Sequence, residues 1–277
     1  MQKQIKKIHV KTGGELKKVL VCSPENFVII KPINYTEKET FKEGIKLKKL
    51  ISEHKEFCDL LKQIGVKPIY LPLDKNCPQQ TFCRDIAFVI KDCIYIANSP
   101  VEMRKKEREP LKEILNVNTH MYEFKNNIEG GDVIVYNDYV FVGISSRTNK
   151  KALKELQDIL PKKYLIVPIK LKKKILHLDT ILNYVGDIAV FYQNGVKGKF
   201  EIEKYFKKVI YTNSKQQKHL PTNFLCLSPS KIIASKKNKD INTELENLGI
   251  EIVNGSFNEM LKLGGSYRCC SQEIIKN

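Results

Sequence analysis

Four short stretches of this chain hold residue types that do chemistry: Phe82-Cys83-Arg84-Asp85, Glu129-Gly130-Gly131-Asp132, His177-Leu178-Asp179-Thr180 and Gly264-Gly265-Ser266-Tyr267-Arg268-Cys269-Cys270. A cysteine with a histidine offers a nucleophile and its proton partner. Several carboxylates around that pair suit a planar cation with many N–H donors, which describes a guanidinium. Taken singly, each stretch has a plainer reading. A lone His is usually structural, Gly-Gly-Asp is often a turn, and an Asp ahead of a strand often caps it. What favours chemistry is their phasing.

The chain repeats itself. DIAFVI-KD-CIYIA (85–97) reads as two strands joined by a tight turn, followed by a charged helix in PVEMRKKEREPLKEIL and a strand near His120 to Phe124. The pattern returns at DVIVY-ND-YVFVG (132–143), with helix TNKKALKELQDIL and strand YLIVPI. It returns again at TILNYVGDIAVFY (180–192), with a short helix at 201–206 and strand KVIYT, and at NFLCLSPSKIIAS (223–235), with helix DINTELENLG and strand EIVNG. Unit starts at 85, 132, 180 and 223 lie 47, 48 and 43 residues apart. An earlier unit pairs KKVLVCS and KPIYLPL with one long amphipathic helix over 38–65, whose Leu47, Leu50, Ile51, Phe57, Leu60 and Leu61 share a face.

Five strand–strand–helix–strand units without a flexible linker predict one α/β domain over residues 1–277, arranged radially, with inner strands around an axial channel. In such an arrangement equivalent positions converge on one end of the axis. Asp85, Glu129, Asp132, His177 and Asp179 would then meet a cysteine from the closing segment.

Composition narrows the field. The 277 residues include 48 Lys plus Arg against 31 Asp plus Glu, so the net charge is 48 − 31 = +17. With 42% hydrophobic and 29% charged residues, the chain has the make-up of a globular protein, not a disordered one. No apolar run approaches the roughly 20 residues that span a bilayer, and the first residues lack the apolar core of a secretory signal. A soluble cytoplasmic protein is expected, with reduced cysteines and no membrane partner. Cys22, Cys58, Cys93 and Cys226 sit in apolar segments and read as small buried hydrophobes. No Cys-x-x-Cys pair occurs, so no metal site is expected. The positive excess is Lys spread along the whole chain, which argues against a nucleic-acid partner.

In order, FCRDIAFVI, EGGD, GISSRTN, HLDT and GGSYRCC resemble the motifs of the guanidino-group-modifying superfamily, whose members include arginine deiminases, dimethylarginine dimethylaminohydrolases and amidinotransferases. The resemblance runs from about Leu20 to Ser271. It implies the five-bladed α/β propeller known as the pentein fold, and no metal or organic cofactor. It implies Cys269 as the nucleophile that forms a thiouronium intermediate, with Cys270 as the alternative one position on. His177 matches the general acid and base, and Glu129 the carboxylate that supports it. Asp85 and Asp179 match the carboxylates that hold the guanidinium, and Phe82 lies in the same substrate-binding motif. Arg147 and Arg104 match arginines that take a substrate α-carboxylate. At the position where some relatives have an acid for the α-ammonium, this chain has Gln79.

The resulting expectation is a hydrolase of a guanidino C–N bond, acting on an arginine or methylarginine-like small molecule and giving a ureido product plus amine or ammonia. An amidinotransferase passing the amidino group to an amine is the alternative, and a non-enzymatic binder of the same fold is a third reading. A homo-oligomer is compatible with the sequence.

Overall fold

Short runs of Val, Ile, Phe and Tyr that turn back on themselves within two residues form the framework. The computed structural model describes residues 5–32 and 35–277 and, within them, every side chain but those of residues 35, 39, 42 and 43. The chain opens with β1 (His9–Val10), β2 (Leu16–Val21) and, after two helices, β3 (Lys67–Tyr70). Three-stranded sheets follow: β4 (Ala87–Ile90), β5 (Cys93–Ile96) and β6 (Met121–Glu123); then β7 (Val133–Tyr136), β8 (Tyr139–Ile144) and β9 (Leu165–Lys170). The next two comprise β10 (Leu182–Val185), β11 (Ile188–Phe191) and β12 (Lys208–Tyr211), and β13 (Leu225–Ser228), β14 (Lys231–Ser235) and β15 (Glu251–Gly255). In each of these four, the first pair is antiparallel and the second parallel, so one hairpin and one crossover build every sheet. The last strand, β16 (Gln272–Lys276), leaves this pattern and inserts between β1 and β2, giving the order β1-β16-β2-β3.

The hairpin turns repeat in conformation as well as in position. Lys91, Asn137 and Gly186, at equivalent places in three sheets, all have left-handed φ of 55°, 53° and 54°. At Gly186 the residue type is dictated twice, because a Cβ there would also meet the Pro229 carbonyl at 2.7 Å.

The helices are shorter than the sequence suggests. The single helix expected over 38–65 is two, α1 (Tyr35–Glu43) and α2 (Leu47–Gln63), broken where Gly44 turns left-handed at φ 73°. Leu50, Phe57 and Leu61 of α2 are buried against the first sheet, with Leu47 and Leu60 partly so. The charged segment after β5 forms a 3-10 stretch, Glu102–Arg108, before α3 (Glu109–Ile114). Pro110 is the reason: it fits the first turn of a helix and breaks an interior. Residues 201–206 hold only the 3-10 turn Ile202–Lys204. The helices α4 (Lys150–Ile159) and α5 (Lys239–Asn247) match expectation, and α6 (Asn258–Lys262) precedes the closing segment.

Strands β4, β7, β10, β13 and β16, one from each sheet, line a common central cavity with Val89, Val133, Tyr184, Cys226 and Gln272 among its walls. Among the described residues, no helix is long and apolar enough to cross a membrane.

Candidate active site

The ends of neighbouring sheets are drawn together by glycine. A Cβ at Gly130 would fall 2.2 Å from the Arg84 carbonyl and 2.3 Å from that of Ala87; at Gly131 it would fall 2.8 Å from Asp85 Oδ1 and 2.9 Å from the His177 ring. The Gly-Gly pair is therefore no mere turn. It lets the segments ahead of β4, β7 and β10 approach within side-chain reach. Asp132 then fastens them, accepting the Leu178 amide at 3.0 Å on Oδ1 and the Ser145 hydroxyl at 2.7 Å on Oδ2. Burial raises the Asp132 carboxyl to about 7, with the His177 charge opposing.

His177 is buried and held by carboxylates on both sides. Its Nε2 lies 2.6 Å from Glu129 Oε2 and its Nδ1 3.5 Å from Asp85 Oδ1. Burial works against its charge, but Asp85, the hydrogen bond to Glu129 and the Asp132 charge outweigh it and raise the imidazole to about 9. Burial likewise works against the Glu129 charge. Arg147 and His177 overcome it and hold that carboxyl well below the usual range. Arg147 Nη1 donates to both Glu129 oxygens, at 3.1 and 3.2 Å.

Asp85 has its own clamp. Arg104 donates from Nη1 to Asp85 Oδ2 at 2.8 Å and from Nε to Glu107 at 2.8 Å, and Nη2 reaches Glu107 at 2.8 Å and the Phe82 carbonyl at 3.4 Å. This leaves Asp85 Oδ1 buried, facing His177 and without a hydrogen bond among the described residues.

Cys269 is buried on the segment between α6 and β16, where its Sγ lies 4.0 Å from Asp179 Oδ2. Asn223, just ahead of β13, holds the loop: its Oδ1 accepts the Ser266 and Cys269 amides, each at 3.1 Å, and its Nδ2 donates to the Cys269 sulfur at 3.1 Å. Burial first, then the charges of Asp179 and Asp85, push the Cys269 thiol well above its ordinary value. Burial raises Asp179 to about 6 against the pull of Arg268 and His177. Its Oδ1, like that of Asp85, has no hydrogen-bond partner among the described residues. The site thus presents a neutral thiol, an imidazolium and two buried carboxylates, each with one unmet oxygen.

The structure brings together Cys269, His177, Glu129, Asp85, Asp132 and Asp179. Phe82 packs edge-on against Phe27, with ring centroids 6.1 Å apart, and a Cβ at Gly265 would meet its ring at 2.4 Å, so it braces the Cys269 loop. Arg104 and Arg147, expected at a substrate carboxylate, have carboxylates of the protein instead. Arg104 is fully engaged by Asp85 and Glu107, and Arg147 is the counterion of Glu129; both are buried. Gln79 donates to Glu37 of α1 at 2.9 Å, so an acid does lie beside that position, supplied from another element. Cys270 is fully buried in the core cluster of α2 and the first sheet. Asn223 was missed because a neutral amide carries no chemical signal, although it opens the fourth repeat as Asp85 and Asp132 open theirs. Donor atoms of Asp85, Glu129 and His177 lie within 4.8 Å of one another and could hold a metal ion. Arg104, Arg147 and the imidazolium already supply the positive charge that those carboxylates need.

A family model described as N,N dimethylarginine dimethylhydrolase, eukaryotic, matches residues 23–276. The chain is 33% identical over 269 residues to the protein YkgA of Bacillus subtilis, covering 95% of this chain and 93% of that protein. It is 22% identical over 227 residues to the N(G),N(G)-dimethylarginine dimethylaminohydrolase of Pseudomonas aeruginosa, covering 80% of this chain and 87% of that enzyme. Its fold is that of the N-terminal domain of ArgZ, a cyanobacterial arginine dihydrolase of the ornithine-ammonia cycle solved with product bound: the TM-score is 0.85 at 16% identity, over 94% of this chain and 97% of that one.

Proposed function

Since this chain belongs to the N,N dimethylarginine dimethylhydrolase family, within the guanidino-modifying superfamily, we propose that it hydrolyses a guanidino C–N bond of an arginine or methylarginine-like molecule. The observation that carries the reading is the pair of buried, unmet carboxylate oxygens, Asp85 Oδ1 and Asp179 Oδ1, beside a histidine and a cysteine. A buried acceptor without a partner costs about 1–3 kcal/mol. A guanidinium, with donors on two edges of a plane, satisfies both at once.

The order of events follows from the charges. In the free site the thiol is neutral, because two carboxylates oppose a thiolate. An arriving guanidinium offsets those carboxylates, and the Cys269 proton leaves to solvent, one positive charge replacing another. The thiolate adds to the guanidinium carbon. Glu129 holds His177 at Nε2, so the proton on Nδ1 passes to the departing nitrogen as its C–N bond breaks, leaving a thiouronium on Cys269. The now neutral His177 takes a proton from water, the oxygen adds to the same carbon, and the C–S bond breaks as the hydroxyl proton passes to the sulfur, releasing a ureido product and restoring the thiol and imidazolium. Asn223 holds the sulfur in place throughout. Residues 1–277 act as one catalytic domain whose five sheets are the blades of an α/β propeller, a reading supported by a cavity to which each sheet contributes a strand.

The test is a panel of dimethylarginine, monomethylarginine, arginine and agmatine, assayed for ureido product and for released amine with and without an amine acceptor. Stoichiometric ureido product and amine without an acceptor is expected. Turnover only with acceptor, giving a new guanidine, would make the protein a transferase.

A further inference from the structure

Behind the active site lies a second group of buried charges that the reaction does not use. The central cavity is lined by Arg84, Arg268 and Lys276, with Lys11 at its exposed rim, and Glu273 is the one acid among its lining residues. Cys269, His177 and Asp179 are not in its wall. Arg84 takes most of Glu273, with Nη2 at 2.5 Å from Oε2, and its Nη1 donates to Gln272. Arg268 is left with two long contacts, 3.8 Å to Glu273 and 3.6 Å to Asp179, and its buried Nε has no hydrogen-bond partner among the described residues. Lys276, 5% exposed, donates to the Cys226 carbonyl at 3.2 Å, while an ammonium has three N–H donors. Three buried cations thus face two carboxylates, Glu273 in the wall and Asp179 at 3.6 Å from Arg268, and a buried charge in excess of its counterions is costly. Burial, joined by like-charge repulsion from Arg84, holds Arg268 below its ordinary value.

We propose that this cavity binds a small anion, a halide or an oxyanion of formate size, between Arg268 and Lys276. Its volume of about 50 Å³ is room for a few waters or one such ion. Bound there, the anion draws Arg268 from Asp179, whose Oδ2 is 3.6 Å from Arg268 Nε and 4.0 Å from the Cys269 sulfur. Anion binding and guanidinium binding are then coupled, and reciprocally so. The anion site stands whichever guanidino compound is processed.

The experiment follows thermal unfolding of the full chain in chloride, bromide or formate at constant ionic strength, balanced with gluconate, which is too large to enter. In parallel, crystals grown in bromide are examined by anomalous scattering. We expect a saturable rise in Tm with the small anions that is absent in Lys276→Met, and a bromide peak between Arg268 and Lys276. A rise with halides but not formate, or the reverse, identifies which class the cavity takes. An empty anomalous map, or the same Tm response in wild type, variant and gluconate alone, would overturn the proposal and leave the cavity to water. If Lys276→Met does not fold, the bromide map decides.

Discussion

Asn223 grips Cys269 at both ends, accepting its backbone N–H on Oδ1 and donating from Nδ2 to its sulfur, each at 3.1 Å. One side chain, from the segment before β13, thereby fixes both the path of the loop and the position of the thiol. The same Nδ2 points at the Asp179 carbonyl at 3.4 Å, so the carboxylate and the sulfur are set from a common point.

Removing that grip should cost activity more than binding. Asn223→Ala leaves two buried amides without an acceptor and frees the thiol, and a fall in kcat of about ten- to a hundredfold is expected with KM little changed. Asn223→Asp should not rescue, because it replaces the donor beside the sulfur with a second negative oxygen. Steady-state kinetics on the best substrate of the panel decide. Full activity in Asn223→Ala would mean that the loop holds itself.

Cys269→Ser should abolish turnover and Cys270→Ser should keep most of it. The Cys269 sulfur faces Asp179 and Asn223, whereas Cys270 is sealed in the core beneath α2. Mass spectrometry after reaction with a slow substrate should find the adduct on Cys269 alone. Retained turnover in Cys269→Ser with a dead Cys270→Ser would move the nucleophile by one position.

The pH profile of kcat/KM should be a bell with limbs near 6 and 9, since it reports groups of the free enzyme. It rises as Asp179 ionises through about 6 and falls as His177 loses its proton through about 9. Stability carries the same signature with its own signs. His177, raised above 6.5, contributes fully below that value, and the contribution is lost as pH rises through about 9. Asp179, raised above 3.8, costs stability as pH climbs from there to about 6. A profile flat from 5 to 10 would contradict both assignments.

Arg147→Ala should reduce turnover equally on substrates with and without an α-carboxylate, such as arginine and agmatine, because Arg147 acts through Glu129. With its counterion gone, Glu129 draws the His177 proton more strongly, so the alkaline limb should move upward from about 9. A loss confined to arginine, with the limb unmoved, would return Arg147 to the substrate carboxylate.

The repeat was legible because each sheet buries both faces of its hairpin, which forces dense apolar runs with turn residues at fixed places, as in Val133–Tyr136 and Tyr139–Ile144. The acidic and histidine positions were legible for the same reason, since each sits where a unit begins. Two things were not. Helix lengths depended on single residues, Gly44 and Pro110, whose local preference overrode an amphipathic pattern. The partners of Arg104 and Arg147 depended on which buried carboxylates lay nearest in space, and no spacing along the chain encodes that Arg147 meets Glu129 or that Arg104 turns to Asp85 and Glu107.

Strand β16 slots between β1 and β2, pairing Gln272 with Leu20 about 250 positions earlier in the chain. Cys269 lies three residues before that pairing, so the position of its thiol rests on contact between segments about 250 residues apart. Four sheets can assemble as synthesis proceeds, each from contacts within its own unit. The Cys269 loop is anchored instead by β16, whose pairings with β1 and β2 span the longest separations in the described sheets and so carry the largest loop-closure cost.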